Sequence, residues 1–463
     1  MSALITLGQA SGPASTGVEP VGVIAPYMAV FFVAFFVAII ATPILRAAAI
    51  RNGIVDIPDL RRKNHIGPVA YLGGVAIFLG WLAGVGVSFL TPPHNAAASA
   101  VGFDHVVFPI TIILGAGAIV LTGLFDDVYG VSPRVKVGGQ LFAAAALASE
   151  NVGIRLVESA ISVMGLPLES WLGPTLSGYV IYALGTVMIA VFVVGGCNAV
   201  NLIDGLDGLA SGVTAIAVLG FLVMAAMVAV RGDGNSLDAL VNDPVRIVMC
   251  LAILGAILGF LPYNFNPATI FMGDAGSLLL GFLAVSTILM FSHVHLKHVT
   301  ATLIIFAVPI SDTAMALIRR KVRGQPLFSP DSNHIHHQLR RRGLTVKQAV
   351  VLLYAAQAAF AALGVALVWY DVQWRYVMAV FVVLYGFVVV FAYKLAARDA
   401  MIEKIKRMES ADADAVEVPP ATRDVPLPED PTRDRKEGDR DTRDREGDAG
   451  PDAPLSRPSP KTT

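Results

Sequence analysis

The stretch Asn201-Leu-Ile-Asp-Gly-Leu-Asp-Gly-Leu-Ala210 lies between two apolar runs, at 189–200 and 214–230. It places two carboxylates, Asp204 and Asp207, at what these runs predict to be a membrane boundary. A carboxylate is costly there unless it is paired or bound to a cation, so acids in this position usually serve a function. The structural alternative is a helix cap combined with a contact between helices through small residues.

The composition indicates the class of protein to which this boundary belongs. Hydrophobic residues make up 55% of the 463 residues and charged residues only 15%, and the mean hydropathy is +0.66. Most of the charge lies in a few loops and in the C-terminal segment, so long parts of the chain are almost uncharged. This distribution is typical of an all-α polytopic membrane protein. The two cysteines, Cys197 and Cys250, predict neither a disulfide framework nor a zinc site.

Eleven apolar segments are candidates for transmembrane helices, each of which needs about 20 residues. They are 22–45, 70–90, 106–125, 137–150, 178–196, 208–230, 246–263, 276–292, 299–318, 348–369 and 375–395. We therefore predict a multi-span domain over 21–396 with about 11 spans. Residues 1–20 are predicted to be a disordered N-terminus. The Asp-, Glu- and Arg-rich segment 397–463 is predicted to be a charged, mostly disordered cytoplasmic tail.

The basic residues predict the orientation of these spans. Loops after the odd-numbered segments hold most of the Lys and Arg, with clusters at 61–63, 319–323 and 340–342. The positive-inside rule places such loops in the cytoplasm. The N-terminus is then outside and the C-terminus is inside, as an odd number of spans requires. The predicted location is therefore a membrane that the chain crosses several times, with these loops in the cytoplasm.

Further polar motifs lie in loops on the same predicted side. Asp126 and Asp127 end the third segment, Asp274 stands in the run Phe271-Met-Gly-Asp-Ala-Gly-Ser277, and His334-Ile-His-His337 follows the ninth segment. Taken alone, the paired acids could be solvated and Asp274 could belong to an ordinary turn before a helix. Because the motifs and the orientation rest on different features of the sequence, their agreement predicts one active site on the cytoplasmic face.

The acids of these motifs, Asp126, Asp127, Asp204, Asp207 and Asp274, would repel one another if they converged without a cation. Carboxylate oxygens are ligands of hard divalent ions, and Mg²⁺ commonly shares its remaining positions with water and substrate phosphates. No Cys and His spacing suggests zinc. The sequence therefore predicts a divalent-ion site that also binds phosphate.

A basic, histidine-bearing loop complements this acidic site. The cluster His334-Ile-His-His337 is flanked by the arginines of 319–323 and 340–342. Arg and protonated His donate charge-assisted hydrogen bonds to phosphate, so we interpret the loop as an anion clamp. Lys136 is a second candidate for holding a phosphate. The alternatives are positive-inside anchoring for the arginines, surface positions for the histidines and a snorkelling lysine at the interface.

With these motifs in view, the chain resembles the polyprenyl-phosphate N-acetylhexosamine-1-phosphate transferase family, whose bacterial branches include MraY and WecA/TagO. Four motifs in the family's order carry the resemblance, over roughly residues 25–395. They are the acids at 126–127, the run Asn-x-x-Asn-Leu-x-Asp-Gly-Leu-Asp-Gly at 198–208, the run at 271–277 and the histidine cluster. The His-Ile-His-His form resembles the WecA/TagO branch, and the MraY branch typically has three consecutive histidines.

The resemblance implies a membrane enzyme that transfers N-acetylglucosamine 1-phosphate from UDP-N-acetylglucosamine to a polyprenyl phosphate and releases UMP. It implies Mg²⁺ as the cofactor, with Mn²⁺ as a substitute, and undecaprenyl or decaprenyl phosphate as the lipid acceptor. The reaction would be the first membrane step in the synthesis of a cell-envelope polysaccharide, and the location that the resemblance implies is a bacterial cytoplasmic (inner) membrane. The expected partners are the UDP-sugar donor, the lipid acceptor, the bilayer and a second copy in a homodimer, with no role for nucleic acid.

The resemblance also assigns roles to the acids. Asp126 and Asp127 match paired acids implicated in metal binding and activation of the acceptor, and Asp274 matches the magnesium-binding acid. Asp204 and Asp207 match acids that order the nucleotide site. The expected metal ligands are thus Asp126, Asp127, Asp207 and Asp274.

The remaining roles that the resemblance assigns concern the substrates. Asn264 and Phe271 fall where the uracil is held, Phe271 by stacking, and Lys136 matches a basic residue that meets the lipid phosphate. Asn198 and Asn201 match polar residues beside the diphosphate. The catalytic residues expected are Asp126, Asp127, His334, His336 and His337, the histidines lying near the sugar phosphate.

Three other functions fit parts of the same sequence. Transfer of phospho-MurNAc-pentapeptide or of another N-acetylhexosamine 1-phosphate would use the same chemistry. A transporter would also place acids in the membrane, but it predicts polar residues near the span centres and internal repeats, and neither is present in the sequence. A membrane scaffold that acts through the charged tail is the non-catalytic alternative.

Overall fold

A computed structural model of the chain describes residues 20–56, 69–92, 105–231, 237–326 and 334–416. The basic cluster at 61–63, the N-terminal residues 1–19 and the segment 417–463 lie outside these ranges. The described residues up to Glu403 belong to one compact unit, and Lys404 begins a second unit.

The fold is helical, and we number its helices in chain order. They are α1 (Pro20–Ile24), α2 (Met28–Arg51), α3 (Gly73–Ser88), α4 (Ile110–Tyr129), α5 (Pro133–Ser149), α6 (Ile154–Val163), α7 (Leu168–Ile203), α8 (Leu209–Arg231), α9 (Leu237–Asn264), α10 (Gly273–Met290), α11 (Leu296–Ile305), α12 (Ala307–Val322), α13 (Ile335–Arg341), α14 (Val346–Trp369) and α15 (Trp374–Val416). Two 3₁₀ turns, Ala25–Tyr27 and Phe291–His293, precede α2 and α11. Within α7 the backbone is non-helical at Gly173, where φ is 76°, immediately before Pro174.

Every predicted apolar segment coincides with one of these helices or with a pair of them. In the part of the chain that the structure describes, eight helices are long and apolar enough to cross a membrane. Helices α11 and α12 meet at a bend of 75° and would make a ninth span if they cross as one unit. Helices α3 and α5, with 16 and 17 residues, are shorter than a full span. The all-α polytopic class is confirmed, and the count of eleven stays a prediction.

Helix α10 is the centre of the bundle. All its residues from Ala275 to Met290 are buried, and it contacts α3, α4, α7, α8 and α9. By contrast, α2 exposes Phe32, Phe36, Ile40 and Ile44 along one side. A helix that is apolar all round is buried inside its protein, and an exposed apolar stripe suits contact with lipid tails. The first turn of α10, which carries the partly exposed Asp274, is therefore the start of a helix that is otherwise buried in the bundle.

Small residues allow the helices around α10 to approach closely. A Cβ atom at Gly74 of α3 would overlap the backbone of Gly276 in α10. On α9, Cβ atoms at Gly255 and Gly259 would meet the backbone of α2 at Phe31 and Phe35. The small-residue pair in α9 thus serves helix packing, as its spacing predicts for membrane helices.

We expect Gly74→Ala to destabilise the bundle, because its methyl group has no room against the α10 backbone. Overpacking of this kind costs about 1–3 kcal/mol. Thermal unfolding of the detergent-solubilised protein measures the effect. The matched control is Gly86→Ala on the same helix, where a Cβ meets nothing within 4 Å. Removing a glycine there should leave the stability unchanged or raise it. Equal melting temperatures for the two variants would contradict the expectation.

A small strand pair lies beside the amino end of α10. Strands β1 (Val55–Asp56) and β2 (Val69–Ala70) are antiparallel, with Val55 opposite Ala70. Ala70 also bridges Ile270 in parallel fashion, and the Phe271 N–H donates to the Ala70 carbonyl at 2.9 Å. The chain before α3 is thereby tied to the chain before α10.

The C-terminal helix is longer than the sequence predicts. The last predicted span ends at residue 395, but α15 continues to Val416. The first 20 residues of the predicted disordered tail, 397–416, are therefore helical.

Candidate active site

Three helix ends bring two carboxylates onto one ammonium group. Asp126 lies near the end of α4, Lys136 lies in the first turn of α5, and Asp274 lies in the first turn of α10. The Lys136 Nζ is 2.7 Å from the Asp126 Oδ2 and also binds the Asp274 Oδ2. The other oxygen of Asp126 accepts the Val131 N–H at 2.9 Å, within the turn that joins α4 to α5. Residues far apart in the sequence thus form one charged cluster.

Asp127 occupies the amino end of α10. Its Oδ1 accepts the Asp274 N–H at 2.7 Å and its Oδ2 accepts the Ala275 N–H at 3.1 Å. Free N–H groups at the start of a helix attract negative charge, so this carboxylate acts as a cap supplied by another helix. Gly273 has a φ of 66°, and a Cβ atom there would overlap the Asp127 carboxylate. A glycine at this position therefore allows the two elements to meet.

Asparagines of α7 approach the cluster from the opposite side. The Asn201 Nδ2 donates to the Asp274 Oδ1 at 2.8 Å and to the Ser277 Oγ at 2.9 Å. Asn198, one turn earlier, donates to the Gln140 Oε1 at 3.2 Å and to the Val194 carbonyl at 2.7 Å. Asn201 thus belongs to the cluster, and Asn198 has no direct contact with its carboxylates among the residues that the structure describes.

Asp204 lies at the carboxyl end of α7, where the charges of the carboxylate cluster act on its side chain. Burial, followed by the charges of Asp274, Asp127 and Asp207, raises the pKa of Asp204 to about 8. A raised carboxyl pKa means that the neutral form is favoured near neutrality unless a cation joins the cluster. The site therefore holds more carboxylates than Lys136 can neutralise.

Asp207 organises the loop between α9 and α10. Its Oδ2 accepts hydrogen bonds from the Asn266 Nδ2 at 2.9 Å and from the Ala268 N–H at 3.0 Å. Asn264 is buried, donating to the Ile270 carbonyl at 3.2 Å and accepting from the Ser211 hydroxyl at 3.0 Å. Both predicted nucleotide-site residues thus fix the path of residues 264–271.

Two tyrosines lie beside this part of the site, Tyr71 next to Phe271 and Tyr354 next to Gly208. Phe271, predicted to stack on the uracil, lies 6.2 Å from Tyr71 between ring centres, with the rings tilted by 55°. Burial and the neighbouring Asp56 raise the pKa of Tyr71, which keeps its hydroxyl protonated. On the other side, the Tyr354 hydroxyl of α14 donates to the Gly208 carbonyl. Sequence reasoning missed both tyrosines, because the contacts that place them come from distant elements.

The histidine cluster lies against the turn that follows Asp204. The His336 ring sits so close to Gly205 that a Cβ there would overlap its Nε2. The His334 and His336 rings are parallel within 5°, with centres 5.8 Å apart, and the centre of His337 is 4.3 Å from that of His336. The structure therefore places the three neighbouring histidine rings beside the turn that follows Asp204, and their role stays a prediction.

Burial affects the charge of one histidine in the cluster. Burial, with the neighbouring His337 and His334, lowers the pKa of His336 to about 3. This pKa favours the neutral imidazole, so His336 is a weaker candidate for the predicted protonated anion clamp than a solvated histidine would be, and the clamp stays a prediction. The position of His336 under the Gly205 turn, away from solvent, causes the shift, because it penalises the charged imidazolium form.

The donor set can be compared with what a divalent ion requires. Among the residues that the structure describes, no group of three or more His, Cys, Asp or Glu side chains is placed to hold a metal ion. Mg²⁺, however, is commonly bound by one or two carboxylates together with substrate phosphates and water. Asp126 and Asp274 lie close enough for one ammonium group to bind both, and the surrounding carboxylates are in excess. The residues therefore fit a Mg²⁺ site that the substrate completes.

Comparisons with known proteins agree with this chemistry. The sequence model of a family described as "Glycosyl transferase family 4" matches residues 109–292, which contain Asp126, Asp127, Asp204, Asp207 and Asp274. Over 332 residues the chain is 37% identical to the "Probable undecaprenyl-phosphate N-acetylglucosaminyl 1-phosphate transferase" of Bacillus subtilis (strain 168), a match that covers 70% of this chain and 80% of that protein.

Two further relatives come from distant bacteria. The "Decaprenyl-phosphate N-acetylglucosaminephosphotransferase" of Mycolicibacterium smegmatis (strain ATCC 700084 / mc(2)155) is 34% identical over 327 residues, covering 68% of this chain and 75% of that protein. The "Undecaprenyl-phosphate alpha-N-acetylglucosaminyl 1-phosphate transferase" of Escherichia coli (strain K12) is 30% identical over 377 residues, covering 78% and 90%. The similarity thus extends over most of the length of each relative.

Proposed function

The chain belongs to the family of polyprenyl-phosphate N-acetylglucosaminyl-1-phosphate transferases, and from this we infer that it transfers N-acetylglucosamine 1-phosphate from UDP-N-acetylglucosamine to a membrane polyprenyl phosphate. The products are UMP and polyprenyl-diphospho-N-acetylglucosamine, which begins a cell-envelope polysaccharide. Relatives are named for both undecaprenyl and decaprenyl carriers, so the carrier length is left open.

The observation that carries this function is the cluster of Asp126, Lys136 and Asp274, with Asp127 and Asn201 around it. The reaction brings two anions together, the lipid phosphate and the diphosphate of the UDP-sugar. Phosphoryl transfer needs mainly positioning and stabilisation of charge. A cluster that combines an ammonium group, an amide donor and surplus carboxylates for a cation provides both.

The bond changes follow from the reactants. An oxygen of the lipid phosphate attacks the β-phosphorus of the UDP-sugar, a new P–O bond forms, and the bond between that phosphorus and the bridging oxygen breaks, so that UMP leaves. The second pKa of a phosphate monoester is about 6, so the attacking phosphate is largely dianionic near neutrality. Asp126 or Asp127 would take a proton where one has to be removed. His334, His336 and His337 would lie beside the sugar phosphate, His336 as a neutral imidazole.

We propose Mg²⁺ as the cofactor, with Mn²⁺ as a substitute. Asp126 and Asp274 would hold it, with Asp127 and Asp207 as the further ligands proposed from the sequence. The ion would neutralise diphosphate charge and polarise the phosphoryl oxygens when bound. Lys136, which lies between the same two carboxylates, would supply a positive charge to the lipid phosphate.

The remaining substrate contacts are proposed from the loops around the cluster. Asn264 and Phe271 would hold the uracil, with Asp204 and Asp207 fixing the turn and the loop around it. Asn198 and Asn201 would lie beside the diphosphate. The contacts of Asp207 and Asn264 with residues 266–270 support this role, because they give the loop one defined path.

We also propose the placement in the membrane: about eleven spans, the N-terminus outside, and the active site and C-terminus in the cytoplasm of a bacterium. The ends of α4, α7 and α12 and the start of α10 carry the acids and the basic run 319–323. The basic residues assign the loops that carry these acids to the cytoplasm, which supports this placement. A homodimer is proposed from the family resemblance alone.

The function is tested with the purified protein in detergent, Mg²⁺, polyprenyl phosphate and a panel of UDP-sugars. Release of UMP and formation of a labelled lipid product are expected with UDP-N-acetylglucosamine. Turnover only with UDP-MurNAc-pentapeptide or with UDP-N-acetylgalactosamine would replace the proposed donor. Movement of a solute across vesicles without release of UMP would contradict the function altogether.

We expect Lys136→Met to lower kcat by about 10- to 100-fold. The variant loses the ammonium group that we propose to contact the lipid phosphate, and a hydrogen bond to a charged group contributes roughly 1.5–3 kcal/mol. The same assay measures the effect. Arg134→Met is the matched control, since Arg134 is an exposed cation two residues away on the same helix. A similar loss in both variants would show that the general charge of this surface matters and that the contacts of Lys136 do not.

A further inference from the structure

A buried carboxylate outside the main cluster holds the histidine loop. Asp312 of α12 is 1% exposed, and His334 is 6% exposed. The Asp312 Oδ2 lies 2.8 Å from the His334 Nδ1, and its Oδ1 accepts the Ile335 N–H at 2.8 Å. One side chain therefore fixes both the ring of His334 and the start of α13, across 22 residues of sequence.

The cavity beside Asp312 is lined mainly by apolar side chains. Its lining residues are Ile203, Leu209, Val308, Ile335, Leu353 and His336. A carboxylate in such a place loses its hydration and is retained only where its hydrogen bonds compensate. A neutral Asn could also accept the hydrogen bond from the Ile335 N–H. The negative charge and the second oxygen of Asp312 therefore matter mainly for the contact with the His334 ring.

That second contact determines which ring nitrogen of His334 can meet a ligand. A carboxylate at Nδ1 holds the proton on that nitrogen and fixes the orientation of the ring. Nε2 is then the nitrogen left to meet a substrate. The His334 ring is stacked on His336, whose own ring lies on Gly205, the residue after Asp204. His334 is thus held in a fixed orientation beside the turn that follows Asp204.

We propose that Asp312 is a positioning residue for the transfer reaction, acting through His334 by fixing its tautomer and holding its Nε2 toward the sugar phosphate. This inference rests on the proposed function, because it assumes that a phosphate group binds beside the histidines. Asp312 itself does not touch the substrate. Its contribution should therefore disappear when the His334 ring is absent.

The test compares Asp312→Asn, Asp312→Glu, His334→Ala and the double variant Asp312→Asn/His334→Ala in the UMP-release assay. In Asp312→Asn, one amide oxygen still accepts the Ile335 N–H, so the start of α13 stays tied. The amide NH₂ then faces Nδ1, which has to become an acceptor, and the ring proton moves to Nε2. We expect kcat to fall by about 10²-fold, the lower end of what a positioned proton-transfer group contributes. KM for UDP-N-acetylglucosamine should stay within about 3-fold of the wild-type value, because the substitution removes no contact that binds the donor equally in the ground state and the transition state.

The other variants separate positioning from folding. Asp312→Glu keeps a carboxylate and should recover at least about a tenth of the wild-type kcat, because the proposed role depends on a negative charge beside the His334 ring. With His334→Ala in the background, Asp312→Asn should change kcat by less than about 3-fold, because residues that act as a unit are not additive. Asp371→Asn is the matched control: it exchanges an exposed carboxylate paired with Lys297 and should leave kcat unchanged.

Several results would overturn the inference. One is an equal loss from Asp312→Asn with and without the His334 ring, and another is a loss matched by a fall in melting temperature that Asp312→Glu shares. Wild-type activity by Asp312→Asn would do so as well. The wild-type protein is assayed first, so a failure of the proposed function appears as absence of UMP release before any variant is compared.

Discussion

Asp274→Asn should lower kcat for N-acetylglucosamine 1-phosphate transfer by about 10³-fold, the upper range for removing one electrostatic contact to a reacting group. Asp274 accepts from Asn201 and binds Lys136, and its own N–H donates to Asp127. The substitution keeps the size and the backbone contact with Asp127, so the α10 start should remain folded. It removes the charge that pairs with Lys136 and, by our proposal, one of the two carboxylates that hold Mg²⁺.

The assay measures labelled polyprenyl-diphospho-N-acetylglucosamine together with the melting temperature of each variant. Asp371→Asn again provides a carboxylate-to-amide control, because Asp371 pairs with Lys297 in an exposed position outside the cluster. A variant that retains more than about a tenth of wild-type kcat would place the loss far below the range for such a contact. Asp274 would then not belong to the reacting cluster.

Removal of divalent ions should abolish turnover, to below about 1% of the initial rate, if a metal offsets the charge of the diphosphate. The reason lies in the charge balance of the cluster. Among the residues that the structure describes, Lys136 is the cation paired with Asp126 and Asp274, and the charges of Asp274, Asp127 and Asp207 also act on Asp204. Without a further cation, the diphosphate of the donor would add to a site that is already negative.

The experiment treats the enzyme with a chelator and then restores single ions. Mg²⁺ should restore the full rate and Mn²⁺ a part of it, since both favour oxygen ligands. The chelator added already saturated with Mg²⁺ is the control for unspecific inhibition. In Asp126→Asn, half-maximal activity should need more Mg²⁺ than in the wild type. An unchanged rate in the presence of free chelator would exclude the proposed cofactor.

The sequence was sufficient to predict the helical membrane class and the acids that meet. Apolar segments of spanning length translate directly into helices, and each predicted segment coincides with helical structure. Carboxylates at segment ends on one predicted side can approach one another when their helices pack as neighbours. The contacts among Asp126, Asp274 and the charges around Asp204 correspond to that expectation.

The contacts within the site could not be predicted, because they depend on tertiary structure. Nothing in the run around Asp127 indicates that it caps a helix 147 residues later. Asp312 stands in the first half of α12, and only the folded chain places it on the His334 ring. The lowered pKa of His336 likewise follows from its burial under Gly205. Local patterns identify candidate residues, and packing decides their partners and their charge.

Helix α10 has no side facing lipid, and it carries Asp274 at its amino end. Membranes differ in hydrophobic thickness, and a span that touches lipid adapts by tilting or shifting. Such adjustments act first on peripheral helices such as α2, with its exposed Phe32 and Phe36. Other helices separate α10 from the lipid. The geometry at Asp274 can therefore stay constant while the thickness of the membrane varies.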